Sequence, residues 1–286
     1  MSSPTLTAVG VSPVTRTPVH RRLPPSLLIG AAILGIIILA AVFAPLITSY
    51  GPNQQDLTNI LAGPGARHWL GTDQLGRDVW TRLVYGARTD LSVAFIAVLS
   101  PFVIGTILGA AAGYFGGWPD SVVMRVADVV VAFPFYVLVI LLVFVLGSGT
   151  RSIYIAITVV SWVSYARIVR GATLVAKNEE YVLSARVAGM SNRRIIFRHI
   201  VPNVITQPIV FAMSDIVLDI LAIVTLGYLG LGVPPPTPDW GSMMAEGQQF
   251  LTTHWQLATI PGVAVVLTGL GLSLLGDGLA DLLRAE

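Results

Sequence analysis

The chain has 286 residues, of which 54% are hydrophobic and only 11% are charged, whereas an ordinary soluble domain carries about 25% charged residues. A soluble fold of this size cannot bury so much apolar surface, so the composition indicates an all-α integral membrane protein. Cysteine is absent, which excludes disulfides and thiolate metal sites. The four histidines share no helix-turn spacing, and the sequence therefore predicts neither a metal site nor catalytic residues.

The N-terminal part consists of a polar tail and a first apolar run. Residues 1–25 are rich in Ser, Thr and Pro and contain three arginines near their end, a composition typical of a disordered tail. The uncharged run Ser26–Ile47 has 22 residues, enough to cross a hydrocarbon core about 30 Å thick. It is about twice as long as the apolar region of a signal peptide. We therefore interpret residues 26–48 as an uncleaved first transmembrane helix.

Residues 49–90 separate the first apolar run from the second and predict an extracytoplasmic loop. Within this loop Leu75, Val79 and Leu83 recur every four residues, and charged residues occupy the other side of the same helical projection. This periodicity predicts an amphipathic helix that lies at the outer interface or packs on the bundle as an elbow before the second span.

Residues 91–286 predict a core of five further transmembrane helices. The predicted spans are Leu91–Phe115, Val129–Gly147, Ser152–Ala166, Val204–Gly232 and Leu257–Gly276. The first two contain Pro101 and Pro134. The span Ser152–Ala166 has only 15 uncharged residues, so it can cross only if the arginines at its two ends snorkel to opposite interfaces.

The distribution of basic residues predicts the orientation of these six spans. An even number of spans places both termini on one side of the membrane. Twelve Lys and Arg residues then fall on the side of the termini and five on the other side. Because loops rich in Lys and Arg remain in the cytoplasm, the sequence predicts that both termini are cytoplasmic.

The sequence excludes a nucleotide-binding P-loop. Its only lysine, Lys177, lies between Ala176 and Asn178, so no Gly-Lys-Ser/Thr element can exist. This chain cannot be a P-loop ATPase by itself.

Two acidic residues, Asp215 and Asp219, lie within the predicted fifth span, four residues apart and on one helix face. An ionisable group inside a span is costly and usually faces a bundle interior or a water-filled cavity, which suggests that these residues line a transport pathway. Two alternatives stay open: the span begins later in the sequence, or each carboxylate is bonded to a neighbouring helix.

A proline-rich stretch, Pro234–Asp239, follows the fifth span and is succeeded by Trp240. Consecutive prolines form a semi-rigid extended segment. Pro235, Asp239 and Trp240 are therefore candidates for a surface on which an outside partner docks. The same residues could instead form a re-entrant cap or an aromatic anchor at the interface.

The polar segment Arg167–Asn203 contains seven of the 17 basic residues and is flanked by long apolar runs. Asn178 is a plausible N-cap for a helix over residues 179–188, and Gly189 can end that helix in a left-handed conformation. A second helix is predicted over residues 193–201, before Pro202. The predicted unit is thus helix, glycine turn, helix.

Small and apolar side chains fall on one face of the first of these helices, namely Tyr181, Ala185 and Ala188. A short helix of this kind, lying parallel to the membrane, is suited to insert into a groove of a partner. The alternative is an ordinary basic linker at the membrane interface.

This segment resembles the EAA loop of ABC-importer permeases, in which Glu-Ala-Ala, Gly and Ile-x-Leu-Pro recur at fixed spacing. The matching positions in this chain are Leu183-Ser184-Ala185, Gly189 and His199-Ile200-Val201-Pro202. Leu183 replaces the acidic residue of the pattern. The resemblance therefore implies that an ATPase grips this loop mainly by shape and apolar contact. It implies a cytoplasmic coupling loop, residues 171–203, with the coupling residues Tyr181, Ala185, Arg186, Gly189, Arg193 and Pro202.

Four further segments are similar to the C-type permease of dipeptide, oligopeptide and nickel importers. They read HWLGTDQLGRDVWTRLVYGAR, ADVVVAFPF, LGYLGLGVPPPTPDWG and LSLLGDGLADLL, in this order. The resemblance implies the type I ABC-importer permease fold with six transmembrane helices, in the plasma (inner) membrane of a prokaryote. The implied partners are a second homologous permease, two ATPase subunits or domains, an extracytoplasmic substrate-binding protein and membrane lipid, with no nucleic acid.

The resemblance also implies that this chain binds no cofactor, because ATP and magnesium belong to the ATPase subunits. Peptides are the expected substrate, with a nickel chelate or glutathione as alternatives. A stand-alone channel or secondary carrier, with Asp215 and Asp219 as its proton or cation sites, remains a more distant alternative.

Overall fold

The computed structural model describes residues 24–284, and within this range it contains α-helices, one π-helical turn and no β-strand. In chain order the helices are α1 (Pro25–Val42), α2 (Ala44–Ile47), α3 (Val79–Phe115), α4 (Gly117–Val131), α5 (Phe135–Leu146), α6 (Thr150–Ala176), α7 (Glu180–Val187), α8 (Asn192–Ile195), the π turn (Ile196–Ile200), α9 (Val201–Val204), α10 (Thr206–Tyr228), α11 (Trp240–Gln248) and α12 (Gln256–Arg284). The predicted tail, residues 1–25, lies almost entirely outside the described residues.

Five helices of the described part are long and apolar enough to cross a membrane: α1, α3, α6, α10 and α12. The helices α4 and α5 reach that standard only as a pair, and their axes are bent by 89°. The predicted third span over residues 129–147 is therefore not one continuous helix but crosses the bend between α4 and α5. The break falls at residues 132–134 because Pro134 lacks an N–H and disfavours the helical conformation of the residue before it.

Helix α3 begins at Val79 and continues without a break through 37 residues, a length of about 55 Å. The side chain of Asp78 caps its first turn by accepting a hydrogen bond from the backbone N–H of Thr81 at 2.7 Å. The predicted amphipathic helix within residues 49–90 is not an element of its own, because Leu75 precedes α3 and Leu83 belongs to this long helix, which continues directly into the second span. Pro101 lies inside α3 without ending it.

Helix α6 extends 27 residues, well beyond the 15 uncharged residues that the sequence offered. The reason is that its basic residues find acidic partners on α4. Arg167 donates to Asp128 at 2.8 Å, and Arg170 forms a bidentate ion pair with Asp120. Arg167, which was expected to end the span, thus lies within the helix, and Arg167 and Arg170 together fix α4 to α6.

Helices α3 and α6 pack closely along three glycines of α3 spaced four residues apart, Gly105, Gly109 and Gly113. A Cβ atom built on Gly109 would lie 2.9 Å from the Cα of Ala166, and one built on Gly113 would lie 2.8 Å from the carbonyl oxygen of Arg170. Both distances are shorter than the 3.5–4.0 Å of ordinary carbon contacts. Small residues on one face let the two backbones touch, as in other membrane helix pairs, so α3 and α6 form one rigid unit.

Candidate coupling loop and pathway residues

Loop 171–203 connects α6 to α10, and its first six residues are the last turns of α6. Helix α7 is one residue shorter at each end than predicted. Glu179, rather than Asn178, precedes its first residue, and the Asn178 amide donates to the carbonyl of Leu174 at 3.1 Å instead. Gly189 has φ of +75°, the left-handed conformation that was predicted and that glycine adopts at little cost.

The second helix of the loop does not stop before Pro202, as the sequence suggested. It passes through a π turn over Ile196–Ile200 and continues as α9, with Pro202 in the first turn of that helix. Proline fits there because the first N–H groups of a helix have no intrahelical partner. Helix α9 therefore runs into α10 almost without an interruption, separated from it only by Ile205.

The loop is anchored to α3 and α6 by a buried apolar cluster. From the loop it contains Val182, Ala185, Ile195, Ile196 and Ile200, and from α3 and α6 it contains Ala110, Tyr114, Val169 and Ala176. Val182 and Ile195 are completely buried. Fully burying one valine or isoleucine side chain contributes about 1.5–3 kcal/mol, so the cluster holds the loop firmly to both helices.

Tyr114, near the end of α3, adds specific contacts with the loop. Its hydroxyl donates to Oδ1 of Asn192 at 3.0 Å, and the guanidinium carbon of Arg186 lies 5.5 Å from the centre of its ring. The ammonium group of Lys177 donates to the carbonyl of Gly113 at 2.9 Å. These contacts of Tyr114 were not predictable from the sequence, because its partners Arg186 and Asn192 lie 72 and 78 residues further along the chain.

The exposed side of loop 171–203 carries Tyr181, Leu183 and Val187, with exposed fractions of 39%, 44% and 90%. Arg186, Gly189, Arg193 and Pro202 are exposed as well. Ala185 does not belong to this surface, because α7 turns it towards Tyr114 and the core. The expectation that Tyr181, Ala185 and Ala188 share one outward face is wrong for Ala185. The exposed face could have been predicted from the i, i+4 spacing of Leu183 and Val187.

Asp215 and Asp219 are both buried on α10, but their surroundings differ. The hydroxyl of Tyr165, on α6, donates to Oδ2 of Asp215 at 2.8 Å. Asp215 is thus bonded to a neighbouring helix, which was one of the two alternatives to a pathway role. Neither carboxylate oxygen of Asp219 has a hydrogen-bond partner among the described residues. An unpaired buried carboxyl group is costly, which makes Asp219 the more unusual of the two.

The three candidate docking residues after α10 divide into one surface residue and two buried ones. Pro235 is exposed, whereas Asp239 and Trp240 are each 1% exposed. Asp239 caps α11 by accepting from the N–H of Ser242 at 2.9 Å. Burial raises its pKa, and the hydrogen bonds from Ser242 offset part of that rise. Asp239 therefore has an internal role and does not present a docking surface.

Trp240 connects α11 to the beginning of α3. Its backbone N–H donates to Oδ2 of Asp90 at 2.9 Å, and its indole N–H donates to the carbonyl of Leu83 at 3.0 Å. Trp240 is therefore not an aromatic anchor at the membrane interface, because protein encloses its side chain.

An ion-pair cluster that the sequence did not predict joins the start of α3 to Glu246 of α11. Nε of Arg77 and Nη1 of Arg82 lie 2.7 Å and 2.5 Å from Oδ2 of Asp73, and both arginines also reach Oε2 of Glu246, at 2.7 Å and 2.8 Å. Burial raises the pKa of Asp73, but the N–H groups of Leu75 and Arg77 and both guanidinium groups outweigh this, so the pKa is lowered overall. The cluster fixes the loop before α3, the start of α3, and α11 to one another.

Comparison with known proteins gives the family of this chain. Residues 105–285 match the family described as binding-protein-dependent transport system inner membrane component, and residues 25–64 match the N-terminal transmembrane domain of oligopeptide transport permease C. The chain belongs to this family of membrane transport components. The resemblance that the loop motif and the four other segments indicated is thereby confirmed, together with an all-α permease fold.

Two relatives cover most of the chain. It is 41% identical over 256 residues to the dipeptide transport system permease protein DppC of Alkalihalophilus pseudofirmus, covering 90% of this chain and 84% of the relative. It is 40% identical over 249 residues to the glutathione transport system permease protein GsiD of Pectobacterium atrosepticum, covering 87% of this chain and 83% of the relative.

Proposed function

We propose that this chain is one permease subunit of an ATP-driven importer that carries peptides across the plasma (inner) membrane of a prokaryote. A second, homologous permease would complete the pathway, an extracytoplasmic binding protein would deliver the substrate, and two ATPase subunits or domains would bind ATP and magnesium. Membership of the family supports the transport role, and similarity to a dipeptide permease supports peptides as the substrate.

The observation that best supports coupling is the two-sided character of loop 171–203. One side is buried on α3 and α6, and the other presents Tyr181, Leu183 and Val187 beside exposed arginines. An ATPase that grips the exposed side can displace the loop, and the buried side passes that displacement to two long helices packed as a unit. Alternating access then follows as movement of these helices against the second permease subunit.

We propose that both termini and loop 171–203 face the cytoplasm, where the ATPase subunits are. The support is the excess of basic residues on that side. The residues proposed to contact the ATPase are Tyr181, Arg186, Gly189 and Arg193, with Leu183 and Val187 added because of their exposure. Ala185 and Pro202 are proposed to shape the loop, Ala185 from inside the apolar cluster and Pro202 from the start of α9.

Asp219 is the proposed pathway residue, with Asp215 beside it on the same helix. A peptide carries an ammonium group at its N-terminus, and a carboxylate without an internal partner could receive it when the helices rearrange. Glutathione also carries an ammonium group, and a relative named for glutathione transport is 40% identical; it is therefore the second candidate substrate.

The coupling proposal is tested by comparing Val187→Asp with Val175→Asp in the assembled complex. Both valines are exposed, by 90% and 67%, so neither change buries a charge. Val187 lies on the outward side of α7, whereas Val175 lies in the last turn of α6. We expect Val187→Asp to reduce peptide uptake in proteoliposomes at least tenfold while Val175→Asp leaves uptake near the wild-type rate. Normal uptake by Val187→Asp would contradict the proposed ATPase contact.

The isolated chain tests whether ATP hydrolysis and transport require the partner subunits. We expect the purified chain to hydrolyse no ATP and to transport nothing in liposomes, whereas the full complex imports labelled dipeptides. Transport by the chain alone would instead favour a channel or secondary carrier. Competition by unlabelled dipeptide, glutathione or a nickel chelate against the same labelled dipeptide ranks the substrates, and the proposal requires the dipeptide to compete best.

A further inference from the structure

A long apolar groove lies between α1, α3, α10 and α12. Its larger part has a volume of about 360 Å³ and is lined by apolar side chains of all four helices together with Arg88 and Ser92 of α3. A second part of about 170 Å³ is lined only by apolar side chains of α3 and α10. The two parts share Phe95 and Ile216 and are therefore continuous.

The groove follows α3 from Arg88 to Phe102, fourteen residues along the helix, a distance of about 21 Å at 1.5 Å per residue. Helices α1, α3, α10 and α12 are all long and apolar enough to cross a membrane, so the groove opens towards hydrocarbon. The exposed fractions of Val42 and Phe95 at its rim are 60% and 66%.

Arg88 gives the groove one charged end. It is the single charged residue among the groove-lining residues in the described part of the chain, and within residues 24–284 it takes part in no ion pair. The neighbouring charges on α3 are engaged elsewhere: Arg82 pairs with Asp73, and Asp90 accepts from the backbone of Trp240. Arg88 is exposed, so its guanidinium is available to an anion at this end only.

A groove with one cationic end and a long apolar run has the polarity of a single amphiphile. A transmembrane helix of a partner subunit is the alternative occupant, and the test below distinguishes it from a lipid. An extended acyl chain is thinner, and a phosphate at its head can form charge-assisted hydrogen bonds with a guanidinium group.

We propose that this groove binds one anionic phospholipid, with an acyl chain along α3 and α10 and the phosphate-containing headgroup at Arg88. The lipid would fill the space between α1 and the α3–α6 unit. This site is independent of the proposed peptide substrate and of the ATPase contact, and its test needs neither.

The test uses the full chain, co-expressed with its partner subunits, in nanodiscs of phosphatidylcholine that contain 20% phosphatidylglycerol. Lipids that remain after gentle detergent extraction are counted by native mass spectrometry. The variants are Arg88→Gln, which removes the headgroup contact, and Ser92→Trp, which fills the groove next to it. Arg151→Gln is the matched control, because Arg151 is also an exposed arginine near the start of a long helix but does not line the groove.

We expect wild-type protein and Arg151→Gln to retain one phosphatidylglycerol per chain. A basic residue near a membrane surface contributes about 1 kcal/mol to anionic lipid binding, so Arg88→Gln should lower the preference for phosphatidylglycerol over phosphatidylcholine about fivefold. Ser92→Trp should lower retention of both lipids. Addition of 10 mM inorganic phosphate should leave the retained lipid in place, because a free anion lacks the acyl contacts.

Three results would overturn the proposal. The first is equal lipid preference in wild-type protein and Arg88→Gln. The second is loss of the lipid on adding inorganic phosphate, which would make the site one for free anions. The third is absence of retained lipid together with protection of Phe95→Cys from a membrane-soluble maleimide in the assembled complex, which would place the second permease in the groove.

Discussion

The direct contact of α3 with α6 leads to a quantitative prediction for Gly109→Ala. A new Cβ would overlap the carbonyl oxygen of Ala166 and lie 2.9 Å from its Cα, so the two helices must separate by roughly 1 Å to restore ordinary contact distances. Overpacking of a tight interface costs typically about 1–3 kcal/mol. Replacing glycine by alanine inside a helix also contributes about 1 kcal/mol of stability through helix propensity.

Gly171→Ala provides a control that separates these two effects. Gly171 lies inside α6, the same helix pair, and a Cβ built on it meets no atom within 4 Å. Gly171→Ala should benefit only from the higher helix propensity of alanine, so its free energy of unfolding should be about 1 kcal/mol above that of the wild type. The difference between the two variants therefore isolates the α3–α6 contact and should be about 1–3 kcal/mol.

The measurement is unfolding of the purified protein by titration with SDS in mixed micelles, followed by tryptophan fluorescence. Gly109→Ala should unfold at a lower SDS fraction than Gly171→Ala. Equal unfolding midpoints for the two variants would refute the close approach of α3 and α6 at this glycine, and with it the idea that the two helices move as one unit.

Three further outcomes are expected. Tyr114→Phe removes the hydrogen bond to Asn192 but keeps the ring, so it should cost about 0.5–1.5 kcal/mol and raise the ATP hydrolysed per peptide imported; an unchanged ratio in proteoliposomes would argue against transmission through Tyr114. Asp219→Asn should leave expression and the unfolding midpoint unchanged, because neither oxygen has a partner among the described residues, while peptide uptake falls at least tenfold; full uptake would remove Asp219 from the pathway. Since the folded-state pKa of Asp73 lies below its usual value of 3.8, its ion pairs stabilise the fold at neutral pH and are lost as the pH falls below about 4 through that lowered pKa; Asp73→Asn should flatten this acid-side loss of stability.

Local patterns in the sequence predicted the helix–glycine–helix unit because its signals are short-range. The left-handed conformation of Gly189 and the turn before Asn192 depend on residues within a few positions. The direction in which α7 faces was not predictable in the same way. Both faces of that helix carry small or apolar residues, and the choice of Val182 and Ala185 as the buried ones depends on α3 and α6.

Charged residues in the sequence were the least informative about position. Arg77 and Arg82 fit the polar side of a surface helix, and Arg167 fits the end of a span. In the structure each has an acidic partner, and two of those partners, Glu246 and Asp128, lie 164 and 39 residues away. A single sequence does not show such pairs, because helical periodicity reports which residues are polar and not what they contact.

The amino-acid sequence by itself determined the membrane class, five of the long apolar helices and the family motif. These follow from hydropathy over about 20 residues and from fixed spacing of small residues. Only the tertiary structure decided that α3 runs unbroken from Val79, that the third predicted span is bent, and that Asp239 and Trp240 are internal. The bend follows from Pro134, but the extent of the helices and the burial of Asp239 and Trp240 depend on contacts between segments distant in the chain: ion pairs, glycine contacts and buried hydrogen bonds whose free energy exists only when the helices are packed together.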